Sequence, residues 1–220
     1  MRSDATSLRA LAPKSRWTSR PNVRRLRRPD LPAGTVDLAR FLVGALLVRD
    51  APEGRVSARI VETEAYLAQG DAASHSRSGQ TARNRSMFLA RGHAYVYFIY
   101  GSAYCLNVAS ARNGVGEAVL LRAAEPLEGL ELMRKRRPKA KNDAALLRGP
   151  GNLAAAFGLD RRLDGADLCE AGSELYLARG TPPAAILETE RIGISRDAHH
   201  QLRFLEAGSP FASGPKRPRA

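Results

Sequence analysis

The chain has 220 residues, 44% of them apolar, and carries 35 Lys and Arg against 22 Asp and Glu, a formal net charge of +13. That apolar share can build a core, which excludes a wholly disordered chain, and no run approaches the roughly 20 apolar residues of a membrane-crossing helix. Two cysteines, Cys105 and Cys169, exclude a disulfide scaffold and point to a reducing compartment, and the positive excess favours nucleic acid over a membrane surface as partner.

The charge is unevenly placed. Residues 1–30 hold eight Arg and Lys14 against Asp4 and Asp30, and residues 211–220 hold Lys216, Arg217 and Arg219, so the stretch 31–210 keeps only +3. Both ends contain Pro, Ser and Arg without apolar periodicity, and read as a disordered basic arm and a basic tail around one domain at 31–210. The arm resembles a mitochondrial transit peptide in being Arg-rich and acid-poor, but a solvated arm that adds phosphate affinity fits better. Arg outnumbers Lys 30 to 5, which is read as coding composition, so no single surface Arg is given a role.

In chain order, residues 36–43 read as a short helix stopped by Gly44, with a strand from Ala45. A second strand covers 54–67. Residues 68–91 are polar and have no period, as expected of a long functional loop. Residues 95–100 and 104–110 alternate around Gly101-Ser102 and predict a β-hairpin. A strand is expected at 119–122, then a helix at 125–137 that starts at Pro126 and stops at Pro138. Gly149-Pro150-Gly151-Asn152 leads into a helix at 153–157, and strands follow near 175–177, 189–195 and 202–206. Strands dominate without a βαβ rhythm. The fold class is therefore α+β, a single domain on a mixed, largely antiparallel curved sheet with flanking helices and a protruding hairpin.

Glu62 and Glu64 lie two apart in a strand, so they share a face with Tyr66, and His75 follows in the loop. A carboxylate, a Tyr and a His at the mouth of a strand suit general-base work on water. The plainer alternative is that one Glu pairs with an Arg at the sheet edge while Tyr66 packs. The hairpin gathers five of thirteen aromatics into ten residues, with Tyr95 and Tyr97 on one face and Phe98 and Tyr100 on the other. One face can pack while the other offers a stacking platform, and Tyr100 at the tip could wedge between base steps. Ordinary packing is favoured for Tyr95. Asn107 and Arg122 are polar residues inside apolar strands, either hydrogen-bond hubs or site residues. The run Arg134-Lys135-Arg136-Arg137 reads as a solvated helix end. His199, His200 and Cys169 lack metal-ligand spacing, so neither a metal nor a cofactor is expected.

Several segments together resemble the alkyladenine (3-methyladenine) DNA glycosylase family: RIVETEAYL at 59–67, ASHSR at 73–77, TARNRSMF at 81–88, YVYFIYG at 95–101, CLNV at 105–108, VLLRA at 119–123, RGPGNL at 148–153 and GSP at 208–210. They occur in the family's order across about 38–210, and many ordered blocks are more specific than any one motif. The resemblance implies a monofunctional glycosylase of base excision repair that flips alkylated or deaminated purines from duplex DNA and leaves an abasic site. It implies Glu64 as the general base, with Arg122 helping to hold the water. Tyr66, Tyr97 and His75 would enclose the flipped base, Asn107 would exclude guanine, and Tyr100 would fill the gap in the duplex.

Strand cleavage through a Schiff base would need a lysine in the site, and the five lysines lie outside these motifs. The family often has Lys where Asn152 stands, and the loop 75–81 and segment 109–116 differ in length from some relatives. The partner is damaged double-stranded DNA, no membrane is expected, and the protein should act as a monomer. It would work in the bacterial cytoplasm with the nucleoid, or in the nucleus or mitochondria if eukaryotic. Two rivals remain open: a carbohydrate glycosidase, because two carboxylates about 7 Å apart approach inverting spacing, and a non-catalytic basic nucleic-acid-binding module.

Overall fold

The computed structural model describes residues 23–99 and 101–214. Eight strands form one sheet: β1 (Leu46–Ala51), β2 (Gly54–Tyr66), β3 (Ala94–Ile99), β4 (Ala103–Ala109), β5 (Ala118–Glu128), β6 (Leu175–Ala178), β7 (Ile186–Thr189) and β8 (Arg203–Glu206). Among the described residues four short α-helices accompany it: α1 (Thr35–Leu42), α2 (Leu130–Arg136), α3 (Asp143–Leu146) and α4 (Pro150–Phe157). The main order is β3-β4-β5-β2-β1-β6, with the β7-β8 hairpin branching from β2. Every pairing among these strands is antiparallel. The α+β class and the curled sheet expected from the sequence are both present.

β2 is the spine. One edge of it runs along β5, while the other carries β1 against residues 54–59 and β8 against residues 62–64. The sheet therefore forks where the two glutamates stand. On one face, Val96, Leu106, Val119 and Leu121 join Leu38, Leu153 and Phe157 of the helices in the main core. On the other, Tyr95, Tyr97, Cys105 and Leu120 form a smaller aromatic cluster with Met87. Alternation along β3, β4 and β5 assigns neighbouring residues to opposite clusters, as the two-residue period of a strand requires.

Two bulges then reset that alternation. Opposite β5, the register of β2 skips Val61 between Ile60 and Glu62, and that of β5 skips Arg122 between Ala123 and Leu121. Val56, Ala58 and Ile60 face the core, but after the skip Ala65 does so, and the Thr63 hydroxyl donates to the Ala39 carbonyl of α1. Had the phase continued from Ile60, Glu62 and Glu64 would point into apolar packing. The bulges turn both carboxylates to the other face, the usual service of bulges near sites.

Three expectations need correction. β5 runs through Pro126 to Glu128, where a helix was expected, and α2 starts only at Leu130. Pro126 opposes Ala58 at another register shift, a place where a strand tolerates a missing N–H. The strand expected at 189–195 is Ile186–Thr189, and the residues after it form a loop. Finally, residues 23–30, assigned to the arm, are part of the body: Leu26 is fully buried and its amide donates to the Leu177 carbonyl. Ala212 and Ser213, assigned to the tail, are buried too.

The helix read at 36–43 is α1, whose buried Thr35, Leu38, Ala39 and Leu42 fall on one helical face. Gly44 ends it at φ 95°, and a Cβ there would meet the Thr181 carbonyl at 2.5 Å.

Candidate active site

The aromatic face of the sheet opens into a pocket of about 320 Å³. β3 and β4 supply Tyr95, Tyr97, Cys105 and Asn107 to its wall, β5 supplies Leu120 and Arg122, and the end of β2 supplies Tyr66. His75 enters from the loop after β2, and Ile192 from the loop after β7. The pocket thus brings together five of the seven residues singled out from the sequence, namely Tyr66, His75, Tyr97, Asn107 and Arg122. Glu64 lies directly behind them, and Tyr100 lies outside the described residues.

Glu64 is fully buried, and its three hydrogen-bond donors all line the pocket. Oε2 accepts the Tyr66 hydroxyl at 2.9 Å and Arg122 Nη1 at 3.1 Å, while Oε1 accepts the Ile192 amide at 2.8 Å. Burial pushes the Glu64 pKa above the usual carboxylate value, against the pull of Arg122, the Ile192 amide and Tyr66. Burial and the neighbouring Glu64 carboxylate hold the Tyr66 hydroxyl well above its ordinary pKa, so it serves as a proton donor in the hydrogen bond. Burial works against the charged form of Arg122, but Glu64 and Glu62 outweigh it and its pKa is raised.

Glu62 faces the same way but does a different job. Its Oε1 accepts Arg122 Nε at 3.0 Å, Arg203 Nε at 2.7 Å and the Ser213 hydroxyl at 2.9 Å, and its Oε2 accepts the Ser213 amide. A carboxylate so enclosed, and absent from the pocket lining, offers a substrate no approach. That removes the two-carboxylate arrangement a carbohydrate glycosidase would need. The plainer sequence reading, a Glu paired with Arg, describes Glu62 correctly except that the pair sits in the interior.

The pocket wall is ordered by side-chain hydrogen bonds. His75 Nδ1 lies 3.0 Å from the Tyr95 hydroxyl, and its ring meets Tyr97 edge-on with centroids 4.6 Å apart. Burial, then Arg83, lower the His75 pKa, so the ring is neutral at pH 7. Tyr95 and Tyr97 stack at 5.1 Å. Asn107 Nδ2 donates to the Tyr95 carbonyl at 3.2 Å, which fixes its amide at the wall. The Tyr66 ring is held from behind by the Arg191 guanidinium, 4.7 Å from its centroid. Arg191 in turn forms a fork on Asp71 at 2.7 and 2.8 Å and donates to the Ala65 carbonyl.

Sequence reasoning missed Arg191, Ile192, Arg203, Ser213 and Asn84. Arg203 carried the same signal as Arg122, a charged residue within the apolar run 202–205. Asn84 anchors the His75 loop by donating to the His75 and Gly79 carbonyls, and its Oδ1 accepts the Thr81 amide. The T-x-x-N spacing of such a turn was there to be read. Asn152 in the first turn of α4 donates to the Arg148 carbonyl at 2.6 Å. Among the described residues no group of three or more His, Cys, Asp or Glu could hold a metal ion, and no helix is long and apolar enough to cross a membrane.

The family model for methylpurine-DNA glycosylases matches residues 30–210. A protein of Mesorhizobium japonicum is 55% identical over 190 residues, covering 86% of this chain and 90% of its own length. One of Paraburkholderia phytofirmans is 52% identical over 87% of this chain and 89% of its own length, and one of Methanocella arvoryzae 47% identical over 81% and 90%. All three carry the provisional name 3-methyladenine DNA glycosylase. With a model matched over most of its length and relatives at this identity, the chain belongs to the methylpurine-DNA glycosylase family.

Proposed function

We propose that this chain, a DNA glycosylase of base excision repair by its family, excises alkylated and deaminated purines, with 3-methyladenine, hypoxanthine and ethenoadenine as its substrate class. The damaged nucleotide leaves the stack, at a cost of a few kcal/mol that is least for damaged pairs, and its base enters the aromatic pocket. Tyr66 and Tyr97 offer π faces to the base, and His75 reads its edge as a neutral ring. Asn107, whose amide is held by the Tyr95 carbonyl, excludes guanine by a clash with its exocyclic amine. Tyr100 fills the space left in the duplex.

Alkylation at N3 or N7 places positive charge on the purine, which makes it a good leaving group. A water entering the floor between Tyr66, Arg122 and Ile192 meets Glu64, whose Oε1 keeps a second lone pair beside the bond from the Ile192 amide. Water oxygen bonds to C1′, the glycosidic bond breaks with its electron pair going to the purine, and Glu64 takes the water's proton. A carboxylate whose pKa is raised by burial is the better base for that step. Among the described residues no lysine lines the pocket, which supports hydrolysis without strand cleavage.

The observation that carries this reading is the buried Glu64 carboxylate, aimed by three donors that all line one base-sized aromatic pocket. The test is alkali cleavage of duplexes carrying each of the three lesions after incubation with the protein and with Glu64→Gln. Release by the wild type and none by Glu64→Gln, with lesion binding retained, is expected. Equal release by both would remove Glu64 from the chemistry. Binding without release by the wild type would leave the non-catalytic binding module.

A further inference from the structure

Residues 211–213 follow the matched family segment, yet Ser213 bonds the buried Glu62, two residues from Glu64. Ser213 is buried and gives Glu62 two bonds, from its amide to Oε2 and from its hydroxyl to Oε1. The same hydroxyl lies 3.5 Å from Arg122 Nη2, where it can accept. Arg203 donates to the same Glu62 oxygen, Oε1, through Nε and to the Ser213 carbonyl through Nη2. Glu62 therefore cannot turn, and Arg122, which touches it through Nε, is held with Nη1 directed at Glu64.

We propose that Ser213 is a positioning residue for base release: by clamping Glu62 it fixes the orientation of Arg122, and through Arg122 it fixes the proton-accepting carboxylate of Glu64. A guanidinium presents its donors in a rigid planar fork, so two carboxylates can share it only in one orientation. Without the Ser213 hydroxyl, Glu62 Oε1 loses one donor and Arg122 Nη2 loses its acceptor, so Glu62 draws the fork toward itself and Glu64 loses part of the cation that favours its ionised form. The charged and titratable groups around Glu64 are Glu62 and Tyr66 of β2, Tyr97 of β3, Arg122 of β5, Arg203 of β8 and Arg191 behind Tyr66. Among them Ser213 touches Glu62, Arg122 and Arg203. Ser213 does not line the pocket, so its effect reaches Glu64 through Glu62 and Arg122.

This inference rests on Glu64 being the base, and its test separates the two. Single-turnover release of hypoxanthine from a duplex is measured from pH 5 to pH 9 for the full chain, Ser213→Ala, Ser213→Thr and Glu64→Gln. Ser213→Ala deletes one oxygen and keeps the amide, while Ser213→Thr keeps the hydroxyl as well. The expected result is an acid limb displaced upward by about one pH unit in Ser213→Ala, a roughly tenfold lower rate on the limb that converges on wild type at the alkaline plateau. Ser213→Thr should restore the wild-type limb.

A Ser213→Ala profile that overlays wild type, or one lowered by the same factor at every pH, overturns the clamp. So does a Ser213→Thr profile as displaced as that of Ser213→Ala. Residual release by Glu64→Gln with the wild-type acid limb intact would instead overturn the assignment of Glu64 itself.

Discussion

Arg122 offers the sharpest stability test, because its side chain is 8% exposed and bridges two carboxylates that are fully buried. Arg122→Met keeps the length and apolar stem but removes the fork. Glu62 retains Arg203 and both Ser213 donors, so most of the loss falls on Glu64, which among the described residues keeps Tyr66 and the Ile192 amide. Removing one partner of a buried ion pair costs about 3–5 kcal/mol. At roughly 2–4 °C per kcal/mol for a domain of this size, the melting temperature should fall by about 6–20 °C at pH 8.

The deficit should also depend on pH. Burial already holds the Glu64 pKa above its unfolded value, and Arg122 is the largest influence lowering it. Without Arg122 the folded-state pKa climbs further. Above that pKa the folded protein carries an uncompensated charge. As pH falls through it, the folded state binds a proton that the unfolded state does not yet bind, and the variant regains stability relative to wild type. Thermal melts followed by circular dichroism at pH 8, 7, 6 and 5 measure the gap directly. The double variant Arg122→Met/Glu64→Gln should be more stable than Arg122→Met alone, with a coupling of about 0.5–3 kcal/mol. A gap of equal size at every pH, with no gain in the double variant, would mean that Arg122 contributes packing and not charge.

The pH profile of base release for a cationic lesion should show an acid limb above 4.5, because Glu64 must be ionised and burial raises its pKa; activity is lost as the pH falls through that value. Tyr66→Phe removes a donor to Glu64 while keeping the ring, so in single-turnover assays the acid limb should move up while lesion binding, read by gel shift, changes less than twofold. Asn107→Ala should raise release of guanine from undamaged duplex relative to hypoxanthine, worth about 1–3 kcal/mol of discrimination if the amide excludes the exocyclic amine. Deleting residues 1–22, which hold Arg2, Arg9, Lys14, Arg16 and Arg20 against Asp4, should flatten the salt dependence of DNA binding by up to about four units of slope. An unchanged slope would remove the arm from phosphate contact.

What was legible in the sequence were features with local causes. The β3-β4 hairpin follows from alternation around Gly101, and the shared face of Glu62, Glu64 and Tyr66 from the strand period. Asn107 and Arg122 stood out because a polar side chain inside an apolar strand must find partners. Which face the glutamates would occupy was harder, since it depends on bulges that only the pairing of β2 with β5 defines. The sequence does hold a trace of the first bulge, because the apolar phase set by Val56, Ala58 and Ile60 changes before Ala65. Pro126 misled for a related reason: a proline suits a helix start and a bulged strand equally, and the partner Ala58 decides. Ser213 and Glu62 stand 151 residues apart and Arg203 and Glu62 141, so no local period could connect them.

The arginines also change meaning. Their excess over lysine looked like composition, and their charge looked like affinity for a polyanion. Yet many occupy positions that only a planar fork can satisfy. Arg122 reaches two different carboxylates through Nε and Nη1, and Arg191 grips both oxygens of Asp71 while lying over Tyr66. Arg25 donates to the Glu170 and Ser173 carbonyls and stacks on Tyr176. A lysine, with one compact charge, could make any one of these contacts but not the set. Much of the arginine charge is thus paired inside the protein, and ten of the thirteen net positive charges lie in residues 1–30 and 211–220 rather than between them. Net charge points to DNA, but it overstates the field that DNA meets at the body. The same interior arginines are what allow two carboxylates to stand side by side in a buried site, and so allow one of them to be reserved for water.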